Sequence, residues 1–218
     1  MSERIFRIAI DGPSGAGKST IAKAVAKRLG IDYIDTGAMY RAIGLKMLAK
    51  GIPMEESPAL TKMLAETEID FDGGNVFLDG EIVNDRIRTQ EVSKAASDCS
   101  ALGSVRAKLV ELQRKMGQAK SVIMDGRDIG TNVLTDAEYK YFLTATAEER
   151  ALRRHKEMLE KGQESDLAKV LEQIVERDHN DSTRALNPLR KAEDAEEIDS
   201  TNMSIEQVVD YICGKVGA

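Results

Sequence analysis

The sequence predicts an α/β fold, a parallel sheet covered by helices on both faces, with a small antiparallel β insertion and a short lid. Three observations carry this. The stretch "IAIDGPSGAGKSTIAKAV" at residues 8–25 passes from alternating apolar residues through a glycine-rich turn into a helix-forming run. Strand-type and helix-type segments then alternate along the chain. One stretch, residues 67–89, breaks that alternation.

In order, residues 4–10 alternate and are rich in Ile, which predicts a strand, and Ile21, Val25 and Leu29 mark one face of a helix over 18–29. A short apolar strand around Ile31–Ile34 leads to "DTGAMYRAIGLKML", a second helix that Thr36 can cap. The interrupting stretch, "TEIDFDGGNVFLDGEIVNDRIRT", has short β-type runs separated by "DGGN" and "DGE" turn signals. With the helical "QEVSKAASDCSAL" after it, it makes a lobe at about 60–103. Such a lobe is either a surface hairpin or, beside a nucleotide site, a cover for a second substrate; the second reading is the one adopted. "SVIMDG", "YKYFLTA" and "EEIDST" supply further strands, and helices are expected at about 104–119, 147–161, 167–180 and 204–214. No repeat or low-complexity linker divides the chain, so residues 1–218 read as one domain carrying an insertion.

Composition narrows the function classes. Lys and Arg total 31 against 37 Asp and Glu, a net charge of −6, which argues against broad nucleic-acid or anionic-membrane binding and makes any anion site local. Cys99 and Cys213 lack metal-type spacing, and with only His155 and His179 a zinc site is not expected. The N-terminal "MSERIFRIAID" has no long apolar segment, and no run approaches the ~18 apolar residues of a membrane span, so a soluble cytoplasmic protein is expected.

The strongest signal is Gly12-Pro13-Ser14-Gly15-Ala16-Gly17-Lys18-Ser19, which fits G-x-x-x-x-G-K-[ST] between a strand and a helix. Glycines there let successive backbone N–H groups face a β-phosphate at the positive end of the following helix. Lys18 supplies a mobile charge, Ser19 a hydroxyl for Mg²⁺, and Thr20 a donor toward the α-phosphate. A P-loop alone does not separate a kinase from a GTPase, a motor or a nucleotide sensor. "VIMDGRDIGT" adds Asp125 at the carboxyl end of a buried strand, where a carboxylate can hold Mg²⁺ through water, followed at once by Arg127 and Asp128. Near the C-terminus, Leu167, Val170, Leu171 and Ile174 form an apolar stripe, while Arg177, Asp181 and Arg184 share a face. Earlier, Arg150, Arg153 and Arg154 precede Gly162 like an arginine-bearing flap at about 150–166. On spacing alone, either charged set could equally be a solvated surface.

From GPSGAGKST through DTGAMYR, IRTQEVS, DGRDIGT and ERDHNDSTR to IDSTNMS, nearly the whole chain resembles the bacterial cytidylate kinases among the P-loop nucleoside monophosphate kinases. The one mild departure is Ser19-Thr20 where some relatives carry Gly-Thr, which keeps Thr20 as a hydroxyl donor. The resemblance implies transfer of the ATP γ-phosphoryl, with Mg²⁺, to CMP or dCMP; a monomer is expected, without nucleic-acid or membrane partners. It implies that Thr36, Tyr40, Arg41, Arg127 and Arg177 bind the acceptor phosphate and that Asp181, with Arg184, holds the sugar. Ser97, Arg106 and Asp128 would read cytosine, and Arg153 and Arg154 would belong to a lid over ATP. Rival readings are a kinase for UMP, AMP or a sugar acid, and a nucleotide sensor without turnover.

Overall fold

A computed structural model describes residues 5–217, so Arg4 of the expected first strand lies outside the described residues. The elements run β1 (Arg7–Asp11), α1 (Lys18–Leu29), β2 (Asp32–Asp35), α2 (Thr36–Lys50), α3 (Pro58–Ala65), β3 (Ile69–Asp72), β4 (Asn75–Leu78) and β5 (Glu81–Ile82). They continue with α4 (Gln90–Cys99), α5 (Gly103–Ala119), β6 (Val122–Gly126), β7 (Tyr139–Thr144), α6 (Ala147–Glu160), α7 (Leu167–Thr183), β8 (Glu196–Asp199) and α8 (Ile205–Val216). They fall into two compact units, one up to Tyr33 and again from Lys120, the other Ile34–Ala119.

The first unit is built on a sheet of order β2-β6-β1-β7-β8. Its strand β1 runs parallel to β6 and β7, and β7 runs parallel to β8. Ile8, Ile10, Ile123 and Leu143 point from the strands into a core completed by Ile21 and Val25 of α1 and by Val208, Val209 and Ile212 of α8. Near-continuous apolar strands of this kind suit a sheet covered on both faces. The register sets Ile10 against Asp125 and Asp11 against Gly126, so the carboxyl ends of β1 and β6 open on one edge, where ligands of such sheets bind. A smaller core of Ala151, Val170 and Ile174 joins α6 to α7. Leu167, expected in that stripe, is instead 42% exposed, because at the first position of α7 it lies beyond the reach of α6 packing.

The second unit holds the antiparallel sheet β3-β4-β5 at the place the turn signals predict. Helix α2 lies close against α4: a methyl on Gly44 would come within 3.0 Å of the Ala96 backbone nitrogen. Two local expectations are corrected. Asp35, not Thr36, caps α2, its carboxylate accepting the Ala38 N–H at 2.8 Å, since an anion there meets both the open N–H and the helix dipole. Helix α3 was not expected; Ser57 caps it and Pro58 occupies its first turn, where a proline starts a helix as readily as it ends one.

Candidate active site

The turn after β1 bends because Gly12, Gly15 and Gly17 take positive φ values of 149°, 77° and 87°. At Gly12 the chain passes so near β7 that a Cβ would sit 1.9 Å from the Leu143 carbonyl oxygen. Gly17 is the residue before the first turn of α1, so the loop delivers its N–H groups to a helix N-terminus. Lys18 is buried, and its Nζ donates to the Pro13 carbonyl at 2.6 Å. Burial and the neighbouring Arg127 charge lower its ammonium to about 7, against the pull of Asp125, Asp181 and Asp11.

Beside it, Ser19 Oγ donates to Asp125 Oδ2 at 2.9 Å, and the Tyr33 hydroxyl donates to Asp125 Oδ1 at 2.7 Å. A hydroxyl and a buried carboxylate in contact form a hard-oxygen pair of the type Mg²⁺ takes when phosphate and water complete its shell. No group of three or more His, Cys, Asp or Glu suited to a metal occurs among the described residues, and such an ion would not need one.

The chain leaves β6 through Arg127 and Asp128 into a single π-turn, Ile129–Val133. Arg127 Nε donates to Asp181 Oδ2 at 2.7 Å, and Arg184 Nη2 donates to Asp128 Oδ1 at 3.1 Å. Asn132 Nδ2 donates to the other Asp128 oxygen at 3.0 Å. Burial raises Asp181, but the charges of Arg127, Arg177 and Arg184 prevail and hold it below the usual carboxylate range. Thus Arg127, Asp128, Asp181 and Arg184 make two crossed ion pairs, with Arg177 one helical turn before Asp181. Arg184 stands just past the end of α7 and is fixed by the Asn187 carbonyl.

The arginines of α6 divide. Arg150 is buried, donating from Nε to the Ala145 carbonyl, from Nη1 to the Ser14 carbonyl of the P-loop and from Nη2 to Asp178 Oδ2, at 2.9, 2.9 and 2.7 Å. Arg153 binds Glu149 and the Ser200 carbonyl, at 3.0 and 2.7 Å, and Arg154 is partly buried on the same helix.

Within the second unit, Thr36 is buried in the first turn of α2 and Arg41 Nη2 donates to Asp35 Oδ2 at 3.1 Å. The Arg106 guanidinium lies 6.0 Å from the Tyr40 ring centre. Ser97 is partly exposed on α4. Sequence reasoning missed Asp11, Tyr33, Asn132 and the Arg150–Asp178 pair, although Asp11 precedes the P-loop, Asn132 follows DGRDIGT and Asp178 lies within ERDHNDSTR.

Residues 8–217 match the cytidylate kinase family. A cytidylate kinase of Caldicellulosiruptor saccharolyticus is 56% identical over 211 residues, covering 95% of this chain and 93% of that protein. One of Clostridioides difficile is 51% identical over 209 residues, covering 96% and 97%. Among solved structures, a shikimate kinase of Bacteroides thetaiotaomicron aligns at a TM-score of 0.52 and 13% identity over 99% of this chain and 100% of its own. A gluconokinase of Sinorhizobium meliloti aligns at 0.50 and 14%, over 98% and 94%. At such identities the structures speak for the fold, a P-loop kinase fold, and the sequences speak for the family: the chain belongs to the cytidylate kinases.

Proposed function

We infer that this chain transfers the γ-phosphoryl of ATP to CMP or dCMP, giving ADP and the nucleoside diphosphate. The observation that carries the reading is the sheet edge where the P-loop Lys18 and Ser19 stand beside the crossed pairs Arg127–Asp181 and Arg184–Asp128. Arginines held in place before an anion arrives lose little freedom on binding it, and a phosphate can take over donors now shared with carboxylates.

The P-loop N–H groups and Lys18 hold the donor phosphates, with Thr20 toward the α-phosphate. Mg²⁺, bound through Ser19 and Asp125, would draw charge from the phosphate oxygens. Arg127 and Arg177 bind the acceptor phosphate and, with Lys18, neutralise the charge that spreads over the transferring group. Asp181 accepts from the sugar hydroxyls beside Arg184, and Asp128 accepts from the cytosine amine. In the second unit, Thr36, Tyr40 and Arg41 offer donors for the acceptor phosphate, and Ser97 and Arg106 offer donors for the base. Because the nucleophile is already a phosphate oxygen, no strong general base is required. Arg153 and Arg154 belong to the arm that covers ATP, and closure excludes water that would otherwise take the phosphoryl group. We take the enzyme to act as a monomer in the cytoplasm.

The test is ADP formation in a coupled assay with CMP, dCMP, UMP, AMP and no acceptor. Turnover highest with CMP and dCMP is expected. Turnover highest with UMP or AMP would replace the base assignment, and ATP binding without acceptor-dependent ADP would replace the enzyme by a sensor.

A further inference from the structure

One buried carboxylate on this edge is bonded to main-chain N–H groups instead of to an arginine or a hydroxyl. Asp11 ends β1 immediately before Gly12 and is 4% exposed. Its Oδ1 accepts the N–H of Ile129 at 2.8 Å and its Oδ2 the N–H of Gly130 at 2.7 Å. These are the first two N–H groups of the π-turn, and they follow Asp128 directly in the chain. Asp128 itself has a backbone conformation of φ −147°, ψ 30°, and its carbonyl accepts the N–H of Asn132 at 2.9 Å and that of Val133 at 3.2 Å. The turn is therefore held from inside by Asp128 and from outside by Asp11.

A carboxylate is placed in an apolar interior at a cost, and two short bonds from main-chain N–H groups offset it. Burial pushes Asp11 up to about 6 and nearby Asp128 adds to this, the two N–H groups and Lys18 opposing. Serving Lys18 as a counter-ion is the other role open to Asp11. The hydrogen bonds favour the turn: Lys18 Nζ donates to the Pro13 carbonyl, while each Asp11 oxygen accepts an N–H of the turn. The space around it is filled as well, since a methyl on Gly130 would lie 3.4 Å from Asp11 Oδ2 and 3.3 Å from Lys140 Cδ.

We propose that Asp11 is a positioning residue for base selection, a splint from the strand that feeds the P-loop to the turn that presents Asp128. It touches neither substrate; it sets the angle at which Asp128 meets the base. The proposal rests on the reading of Asp128 as the cytosine acceptor.

Asp11→Asn is the direct test, because a carboxamide keeps the shape but turns an NH₂ toward one of the two N–H groups. Expected is a fall in kcat/KM for CMP of about tenfold to a hundredfold, the range for a buried hydrogen bond replaced by opposed donors. The CMP to UMP ratio of kcat/KM should fall by about tenfold, with KM for ATP changed less than threefold. An unchanged ratio, or an ATP KM that rises in step with that of CMP, overturns the proposal. If Asp11→Asn does not fold, Gly130→Ala decides: it leaves Asp11 in place and crowds its Oδ2, and a ratio lowered severalfold supports the splint while an unchanged ratio overturns it. Asp128→Ala is measured alongside. Should that variant keep the parental ratio, the cytosine reading fails and the splint falls with it; should it collapse the ratio while Asp11→Asn does not, the splint alone fails.

Discussion

The two units hold their arginines differently. On the sheet edge of the first, Arg127 and Arg184 are each joined to a buried carboxylate, Asp181 and Asp128, both under a tenth exposed. In the second, Arg41 shares Asp35 with the helix N-terminus that Asp35 caps, and Arg106 lies against the Tyr40 ring and, at 3.4 Å, the Ser100 carbonyl. Removing one partner of a buried pair strands the other charge, whereas Asp35 keeps a partner when Arg41 is gone. Removing a charge from the first unit's pairs thus costs stability, whereas in the second unit Arg41 can be removed without stranding a buried partner.

The largest effect on kcat itself is expected at Lys18, which belongs to neither kind. Lys18→Ala should lower kcat by roughly 10²–10³-fold or more while CMP binding changes far less, because the lost charge acts on the transferring phosphoryl. Its burial is itself unfavourable, so the melting temperature should stay level or rise; near-normal turnover would remove Lys18 from the mechanism.

Next comes base choice. Cytosine offers an amine donor where uracil offers a carbonyl, and a mismatched buried polar group discriminates by as much as ~10⁴ in kcat/KM. Asp128→Ala should therefore cost CMP far more than UMP, measured at saturating ATP, and Arg106→Ala should act in the same direction.

The comparison of units is tested most sharply by Asp181→Ala against Arg41→Ala. Both should raise KM for CMP and dCMP with ATP affinity little changed. Only Asp181→Ala should also lower the melting temperature by several degrees, because it leaves Arg127 without its carboxylate, a loss on the order of 1–3 kcal/mol. Equal losses of melting temperature in the two variants would erase the distinction.

The smallest effect is a proton. Burial lowers Lys18 to about 7, from an ordinary value of 10.5, and donor phosphates bound as proposed should raise it again. Below pH 7 the ammonium is charged both folded and unfolded and its desolvation cost is fully present; as pH rises from about 7 to 10.5 the folded protein is already neutral there and that cost fades. Between about pH 7 and 10.5, ATP binding should then take up protons, and affinity should weaken as pH rises through that window. Calorimetry in buffers of different ionisation enthalpy measures the uptake, and heats that do not depend on the buffer would rule it out.

The parts legible in the sequence are those whose partners lie nearby along the chain. The P-loop declares itself because Gly12, Gly17, Lys18 and Ser19 act through their own spacing, and "DGGN" announces its hairpin for the same reason. The DGRDIGT segment marked Arg127 and Asp128, but the pairing of Arg127 with Asp181 and of Asp128 with Arg184 joins segments more than fifty residues apart. Arg150 looked like one of a run of flap arginines, yet its three partners are the carbonyls of Ser14 and Ala145 and the carboxylate of Asp178. Main-chain acceptors carry no residue code, so no pattern of letters could single it out. Asp11 was hidden in the same way, by bonds to the N–H groups of Ile129 and Gly130.

The place where the second unit departs and returns bears on the order of folding. The chain leaves the first unit at Tyr33 and rejoins it at Lys120, and there Asp32 N–H donates to the Ser121 carbonyl at 3.4 Å while Lys120 is ion-paired with Asp32. The central pairing of β1 with β6 must close a loop on the order of 100 residues if the chain between them is still unfolded. If residues 34–119 collapse first, on contacts that are all internal to them, the effective loop shrinks to the short path through α1 and β2. Loop-closure scaling makes that order cheaper by about 1 kcal/mol in the barrier to forming the parallel sheet. Under that order the insertion would be a kinetic aid: the segment that interrupts the sheet in sequence would, by folding early, bring β1 and β6 within reach of each other.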